Sequence, residues 1–247
     1  MWRRTVEGRE LHFYLAGINN QNFLMRDKET GSWWQQITGK AIYGPLRGAA
    51  LELVFSDELT LGEWRSESPA GEVLAPVAKY IKEYDSNWEP EVAKSPVVIS
   101  FPGTELKSRD LVIGLTVNGV ARAYPWETFA KQSPVLDRVE GTPLLLVLGP
   151  DGKSFRVFVS RLEGTDTEFF LQTHSDADAS AGSAGVGPAT GKNDWILLDG
   201  ATGSQWNFQG CAVSGPAQGK CLARVAALKD FWFDWRNYHP TTTIYKR

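Results

Sequence analysis

The sequence predicts a mainly β protein of two related modules, each an antiparallel meander closed by a short α-helix and related by a pseudo-two-fold internal repeat. Three observations lead there. The first is a stretch that occurs twice. Asp27, Gly31, Ser32 and Trp34 recur as Asp199, Gly203, Ser204 and Trp206 at an offset of 172 residues. Gly39, Ala41, Gly44-Pro45, Gly48, Leu51 and Val54 recur at 171, as do Trp64-Arg65 at Trp235-Arg236 and Pro69 at Pro240. A fixed offset held over that many positions is the mark of a duplicated structural unit. The second is a set of short apolar runs with period-two alternation between turn residues. The third is size: 247 residues with 42% hydrophobic content can bury one large core or two small ones, and the repeat favours two.

Taken in order, residues 13–16 and 23–26 are β-prone, and Asp27 to Gly31 has hairpin chemistry: an Asp to open the turn and a Gly able to take positive φ. Residues 32–36 and 41–43 continue the meander, and 51–55 alternates until its end. Thr60 followed by Glu63 fits a capping box, so a helix starts there. Asp230 is placed as the cap of the matching helix, and Pro69 and Pro240 fall just past the helix ends. Residues 76–104 carry Pro76, Pro90, Pro96 and Pro102 among mixed charges and are read as a linker between modules 1–75 and 105–247. Beyond it, residues 111–125 form the clearest hairpin, with Asn118-Gly119 as a type I′ turn. A helical turn over 126–132, a strand over 143–148, the turn Pro150-Asp151-Gly152 and a strand over 155–160 follow.

The repeat also reaches back toward the start. Glu7-Gly8 and Phe13-Tyr14-Leu15 match Glu163-Gly164 and Phe169-Phe170-Leu171 at an offset of 156, so residues 1–4 lie opposite 157–160, inside a strand. A copy that begins mid-strand is expected to be half of a domain, with material missing upstream or lost. The rise in offset from 156 to 172 puts an insertion between 174 and 194, rich in Ala, Ser, Gly and Asp, which reads as a surface loop.

Composition excludes some functions. With 26 Lys+Arg against 29 Asp+Glu there is no concentrated cationic face for nucleic acid. No apolar run reaches the ~20 residues of a membrane helix. The opening residues do not begin a signal peptide; a periplasmic or extracellular location is expected if the start is incomplete. No cofactor is called for. Cys211 and Cys221 are too few for a disulfide scaffold; they fall on adjacent strands and are read as ordinary small side chains unless the geometry brings them together.

Candidate chemistry is sparse. Ser32 and Ser204 could be nucleophiles only with a base, and His12, His174 and His239 match nowhere between the copies. They and the two Asp residues are assigned to the hairpins. His174, Asp176 and Asp178 are the one cluster of metal-ligand density, too few for a calcium site. Among the ten tryptophans, Trp34, Trp206, Trp64 and Trp235 recur between copies and are placed in the core. Trp33, opposite Gln205 in the second copy, and Trp232 are left as an aromatic platform for a saccharide or a protein side chain.

Residues 110–114 with Asn118-Gly119, 121–125, Gly141 and Pro143, 199–206, Gly215 and Gly219, Trp235 and His239-Pro240 together resemble the DUF3179 family of bacterial and archaeal domains of unknown function. The resemblance covers a full copy at about 105–247 and a half copy at about 1–75. It implies a Cys-Pro-Leu-Cys-type pair after the strand ending at Leu148, yet Gly149-Pro150-Asp151-Gly152 stands there. The expectation is thus a non-catalytic β-rich binding or structural protein of the cell envelope, where similar proteins are often exported. The alternatives are a metal-binding or redox protein whose Cys-X-X-Cys lies upstream of Met1, and a hydrolase using His239.

Overall fold

The computed structural model describes residues 1–19, 21–103, 105–172 and 195–246. It is 39% strand and 15% helix, so the mainly β expectation holds. The first sheet is a meander of β4 (Phe13–Asn19), β5 (Asn22–Asp27), β6 (Trp33–Gln35) and β7 (Lys40–Tyr43), paired antiparallel in that order. Ahead of it, β1 (Trp2–Arg3) pairs with β8 (Glu52–Leu53), and β2 (Thr5–Val6) with β3 (Arg9–Glu10). The expected strand over 51–55 is thus shorter.

Helix α1 (Leu61–Glu67) starts where the capping box placed it, with Glu63 N donating to Thr60 Oγ1 at 3.2 Å. The proline-rich stretch holds a 3-10 helix at Ala78–Glu83 and α2 (Trp88–Lys94). The Asn118-Gly119 turn, with φ of 49° and 82°, joins β9 (Leu111–Val117) to β10 (Val120–Pro125). Then come α3 (Trp126–Gln132), β11 (Val135–Val139), β12 (Thr142–Leu148), β13 (Phe155–Val159), β14 (Arg161–Leu162) and β15 (Thr165–Asp166). A second meander follows: β16 (Phe169–Gln172), β17 (Ile196–Asp199), β18 (Gln205–Trp206) and β19 (Ala212–Ser214). Finally β20 (Ala227–Phe231) pairs with β9, α4 (Trp232–Tyr238) covers it, and β21 (Thr243–Ile244) lies parallel to β10.

The recurring Asp is a hub in both meanders. Asp27 Oδ2 accepts from Trp34 Nε1 at 2.8 Å and Ser32 N at 3.1 Å, while Oδ1 accepts from Thr30 N at 2.5 Å. Asp199 accepts from Trp206 Nε1 at 2.8 Å, Ser204 N at 3.1 Å and Thr202 N at 2.5 Å. Burial opposes charge on each carboxylate, and the donors, led by the indole N–H, outweigh it and hold both below the ordinary carboxylate range. Ser32 Oγ accepts from Leu46 N and Ser204 Oγ from Ala217 N, which fastens each hairpin to the next turn. Each serine hydroxyl also meets a threonine hydroxyl that donates to the same Asp, Thr30 Oγ1 beside Ser32 and Thr202 Oγ1 beside Ser204.

Trp34 and Trp206 fill two separate cores at 0% and 1% exposure, and Trp235 is buried at 5%. Trp64 is a correction, being only half-buried on a helix without buried residues. The cysteines are another: Cys211 and Cys221 form a disulfide, their Cα atoms 4.0 Å apart across an antiparallel bridge where side chains approach closely.

Residues 55–67 leave the first sheet and bind the second half. Arg156, its side chain 2% exposed, donates to Asp57 Oδ2 (2.8 and 3.0 Å) and to Glu67 (2.5 and 2.7 Å), and lies 4.6 Å from the Phe208 ring. Thr60 Oγ1 donates to Asp151 Oδ2 at 2.6 Å. That aspartate sits in the loop where the family resemblance implied thiols; burial works against its charge, but donors from Ser154, Thr60 and Lys153 win and pull its carboxyl down to about 2.

Candidate functional site

Side chains alternate across a strand, so the first meander has two faces. Its inner face carries Trp34. On its outer face, register puts Tyr14 opposite Arg26, Arg26 opposite Trp33, and Trp33 opposite Tyr43. These four residues form one row across all four strands, spanning roughly 14 Å at the ~4.8 Å strand spacing. Tyr14 is 43% and Tyr43 68% exposed. Trp33 is half-buried, one ring face lying over Gly17, where an added Cβ would stand 3.7 Å from the indole. The Arg26 guanidinium sits 5.7 Å from the Trp33 ring centre and is anchored by Nε donating to Gly31 O at 2.9 Å. The corresponding row in the second meander is Phe170, Leu198, Gln205 and Ser214.

The outer face ends against α4. Asn22 Nδ2 donates to Asp234 Oδ1, and the Tyr238 hydroxyl reaches Asn19 O at 3.4 Å. Asp234 is buried beside Asp230, four residues earlier, whose Oδ1 accepts from Phe231 N while its Oδ2 is buried without a partner. Burial first, and then the Asp234 charge with a smaller push from Glu58, raise the Asp230 carboxyl well above the ordinary range. Protonated, Asp230 can donate to Asp234, which gives the orphaned oxygen a role. Asp230 therefore does not cap the helix as its position suggested: the cap residue is Phe231, and it makes no side-chain capping bond.

The structure places the two platform candidates, Trp33 and Trp232, apart. Trp33 lies on the exposed row. Trp232 does not: at 2% exposure it is packed with Val112, Ala121, Ala123 and Trp235, because α4 lays its first turn on β9 and β10. His239 stacks on Trp235 with ring centres 3.7 Å apart and its Nδ1 faces Trp235 O at 3.1 Å; among the described residues it forms no carboxylate–imidazole pair. His174, Asp176 and Asp178 lie outside the described residues. Tyr14, Arg26 and Tyr43, which share the row with Trp33, were not singled out by the sequence. The Asp27–Gly31 turn gives the Arg26–Trp33 pairing by counting outward, but the flanking strands carry no such marker. A groove of about 400 Å³ elsewhere, bordered by Leu136, Pro143 and Glu168, contains an Arg138–Asp166 pair at 2.5 Å that neutralises its own charge.

Among the described residues no helix is long and apolar enough to cross a membrane. The family described as a protein of unknown function (DUF3179) matches residues 1–242. No curated protein and no solved structure matches the chain.

Proposed function

The chain belongs to the DUF3179 family, and from that premise we propose that it is a non-catalytic binding protein whose ligand, a saccharide chain, lies across Tyr14, Arg26, Trp33 and Tyr43. The observation that carries this is the row itself. Aromatic faces stack on the apolar faces of sugar rings at little conformational cost, and a flat strip of them with an adjacent guanidinium offers both stacking and hydrogen bonding.

The same reading takes the chain as two related modules, 1–75 and 105–247, joined by 76–104. Its support is the paired chemistry of the two Asp hubs and of their serines. Only the first module carries the aromatic row, so duplication preserved the scaffold while the outer face diverged. A cross-strand disulfide persists in oxidising surroundings, which favours the cell envelope as the place of action.

The test is titration of the full chain with soluble α- and β-linked oligosaccharides, followed by calorimetry. Trp33→Ala and Tyr43→Ala should abolish the binding seen with the parent chain and lower stability by no more than about 1 kcal/mol, as expected for partly exposed side chains. Absence of any saccharide binding by the parent, or a loss above ~3 kcal/mol in Trp33→Ala, of the size typical of a core aromatic, would return the row to structure.

A further inference from the structure

Resting on the saccharide reading above, we infer that the ligand of the outer face is acidic, a polysaccharide whose units carry a carboxylate, and that Arg26 is the residue that pairs with it. Charge sets this face apart. In β4 to β7 the charged side chains are Arg26, Asp27 and Lys40. Asp27 points inward, to Trp34. Lys40 follows the same alternation as its neighbour, the buried Ala41, and so turns outward with Arg26. The face thus carries two cations and no carboxylate from its own strands, in a chain of net charge -3. Glu29, in the turn between β5 and β6, is taken by His12, whose N and Nδ1 lie 2.8 and 2.7 Å from its carboxylate oxygens. Asp234, at the end of the face, is bonded to Asn22. Among the described residues neither Arg26 nor Lys40 forms an ion pair.

The scaffold does not require this guanidinium. Arg26 Nε donates to Gly31 O, which steadies the hairpin, yet the second meander closes the same turn with Leu198 in that place. There Gly203 N donates to Asp199 O at 3.0 Å, as Gly31 N does to Asp27 O at 3.1 Å, and Trp206 bonds Asp199 as Trp34 bonds Asp27. Cys211 stands in place of Lys40, and Gln205 in place of Trp33. Cations and indole therefore occur together in one copy and are absent together from the other. Nor does the openness of the face depend on what precedes the meander. In the second half β12 and β13 pack on the inner side through Leu145, Val147 and Phe158, and the outer side stays open, with Phe170 53% exposed.

Arg26 is held as an anion receptor. Its Nε is bonded and its plane lies beside the Trp33 ring, while among the described residues its two Nη groups have no protein acceptor. A guanidinium and a carboxylate pair through parallel charge-assisted bonds. A sugar ring stacked on Trp33 lies next to this fork, so a carboxylate on that ring is the substituent it meets. Lys40 adds a second positive charge along the strip, as a point charge without a fork.

Calorimetric titration of the full chain compares tetrasaccharides of α-linked galacturonate and β-linked mannuronate with the same molecules after reduction of every carboxylate to a primary alcohol. One of the acids should bind about tenfold more tightly than its reduced form, the weight of one hydrogen bond to a charged group. The difference should shrink as salt rises, since exposed charges are screened. This ratio in the parent chain needs no variant to fold. Arg26→Gln, and Arg26→Leu, which borrows the residue of the second meander, should bring it close to one, and Lys40→Gln should narrow it less. Equal binding of acid and reduced forms by the parent, or a preference that survives both Arg26 substitutions, would overturn the inference and leave the saccharide reading standing. So would equally tight binding of a reduced tetrasaccharide carrying sulfate, because any anion would then suffice, or binding of neutral oligosaccharides alone. A parent chain that binds no saccharide removes both readings.

Discussion

Replacing Asp199 by Ala tests the hub on which the second meander depends. The carboxylate receives Trp206 Nε1, Ser204 N, Thr202 N and Thr202 Oγ1 at 2.5–3.1 Å. Trp206 and Ser204 are 1% and 0% exposed, so their donors lose their partner where water has little access. A buried donor left unsatisfied costs about 1–3 kcal/mol, and two of them place the loss at about 2–6 kcal/mol. That is a large part of the ~5–15 kcal/mol that holds a typical domain together. Urea unfolding followed by tryptophan fluorescence measures it. The pH dependence gives a second check. The folded pKa lies below the ordinary 3.8, so this stabilisation is complete above that value and is lost as pH falls through the lower, folded one. Asp199→Asn should therefore flatten the acid limb of the stability profile. A loss under 1 kcal/mol, or an unchanged acid limb, would refute the hub. Asp27→Ala should lose a similar amount, as its bonds are the same.

Arg156→Ala strands Asp57 and Glu67 without their guanidinium, and thermal melting should record a loss of about 3–5 kcal/mol, the cost of breaking a buried ion pair from one side; a surface-like loss below 1 kcal/mol would contradict the clamp. Asp230 has a folded pKa raised from 3.8 to about 8, so the native state holds the proton more tightly and stability falls as pH rises between those values. Asp230→Asn should remove that descending limb and leave the protein more stable than its parent at pH 9; a flat parental profile from pH 5 to 9 would count against the shared proton. Cys221→Ser opens a cross-link with a sequence separation of 10 and should lower the urea midpoint by the equivalent of about 2–3 kcal/mol.

Local rules made the meanders, the Asn118-Gly119 hairpin, the Thr60 cap and the turns opened by Asp27 and Asp199 legible in the sequence, because each is decided within a few residues by turn chemistry and side-chain period; that each Asp also takes the indole N–H of Trp34 or Trp206 came from the structure. The repeat even placed residues 1–4 in a strand by register with 157–160, and β1 is there. Burial was legible only in part. Strand alternation already set Trp33 and Trp34 on opposite faces, and the structure has one over Gly17 on the outer face and the other against Asp27 in the core. Trp232, left as a platform candidate because it does not recur between the copies, is buried, since α4 folds back over a hairpin more than a hundred residues earlier.

The sequence by itself determined the turns, the strand periods and the recurrence of Asp, Ser and Trp at matching places, all consequences of local backbone preference and short-range hydrogen bonding. The tertiary structure alone decided that Trp232 is covered, that Asp230 meets Asp234 and that Cys211 meets Cys221. Those outcomes depend on which distant segment comes to lie against each strand, and no local propensity encodes the approach of a surface that the chain brings from elsewhere.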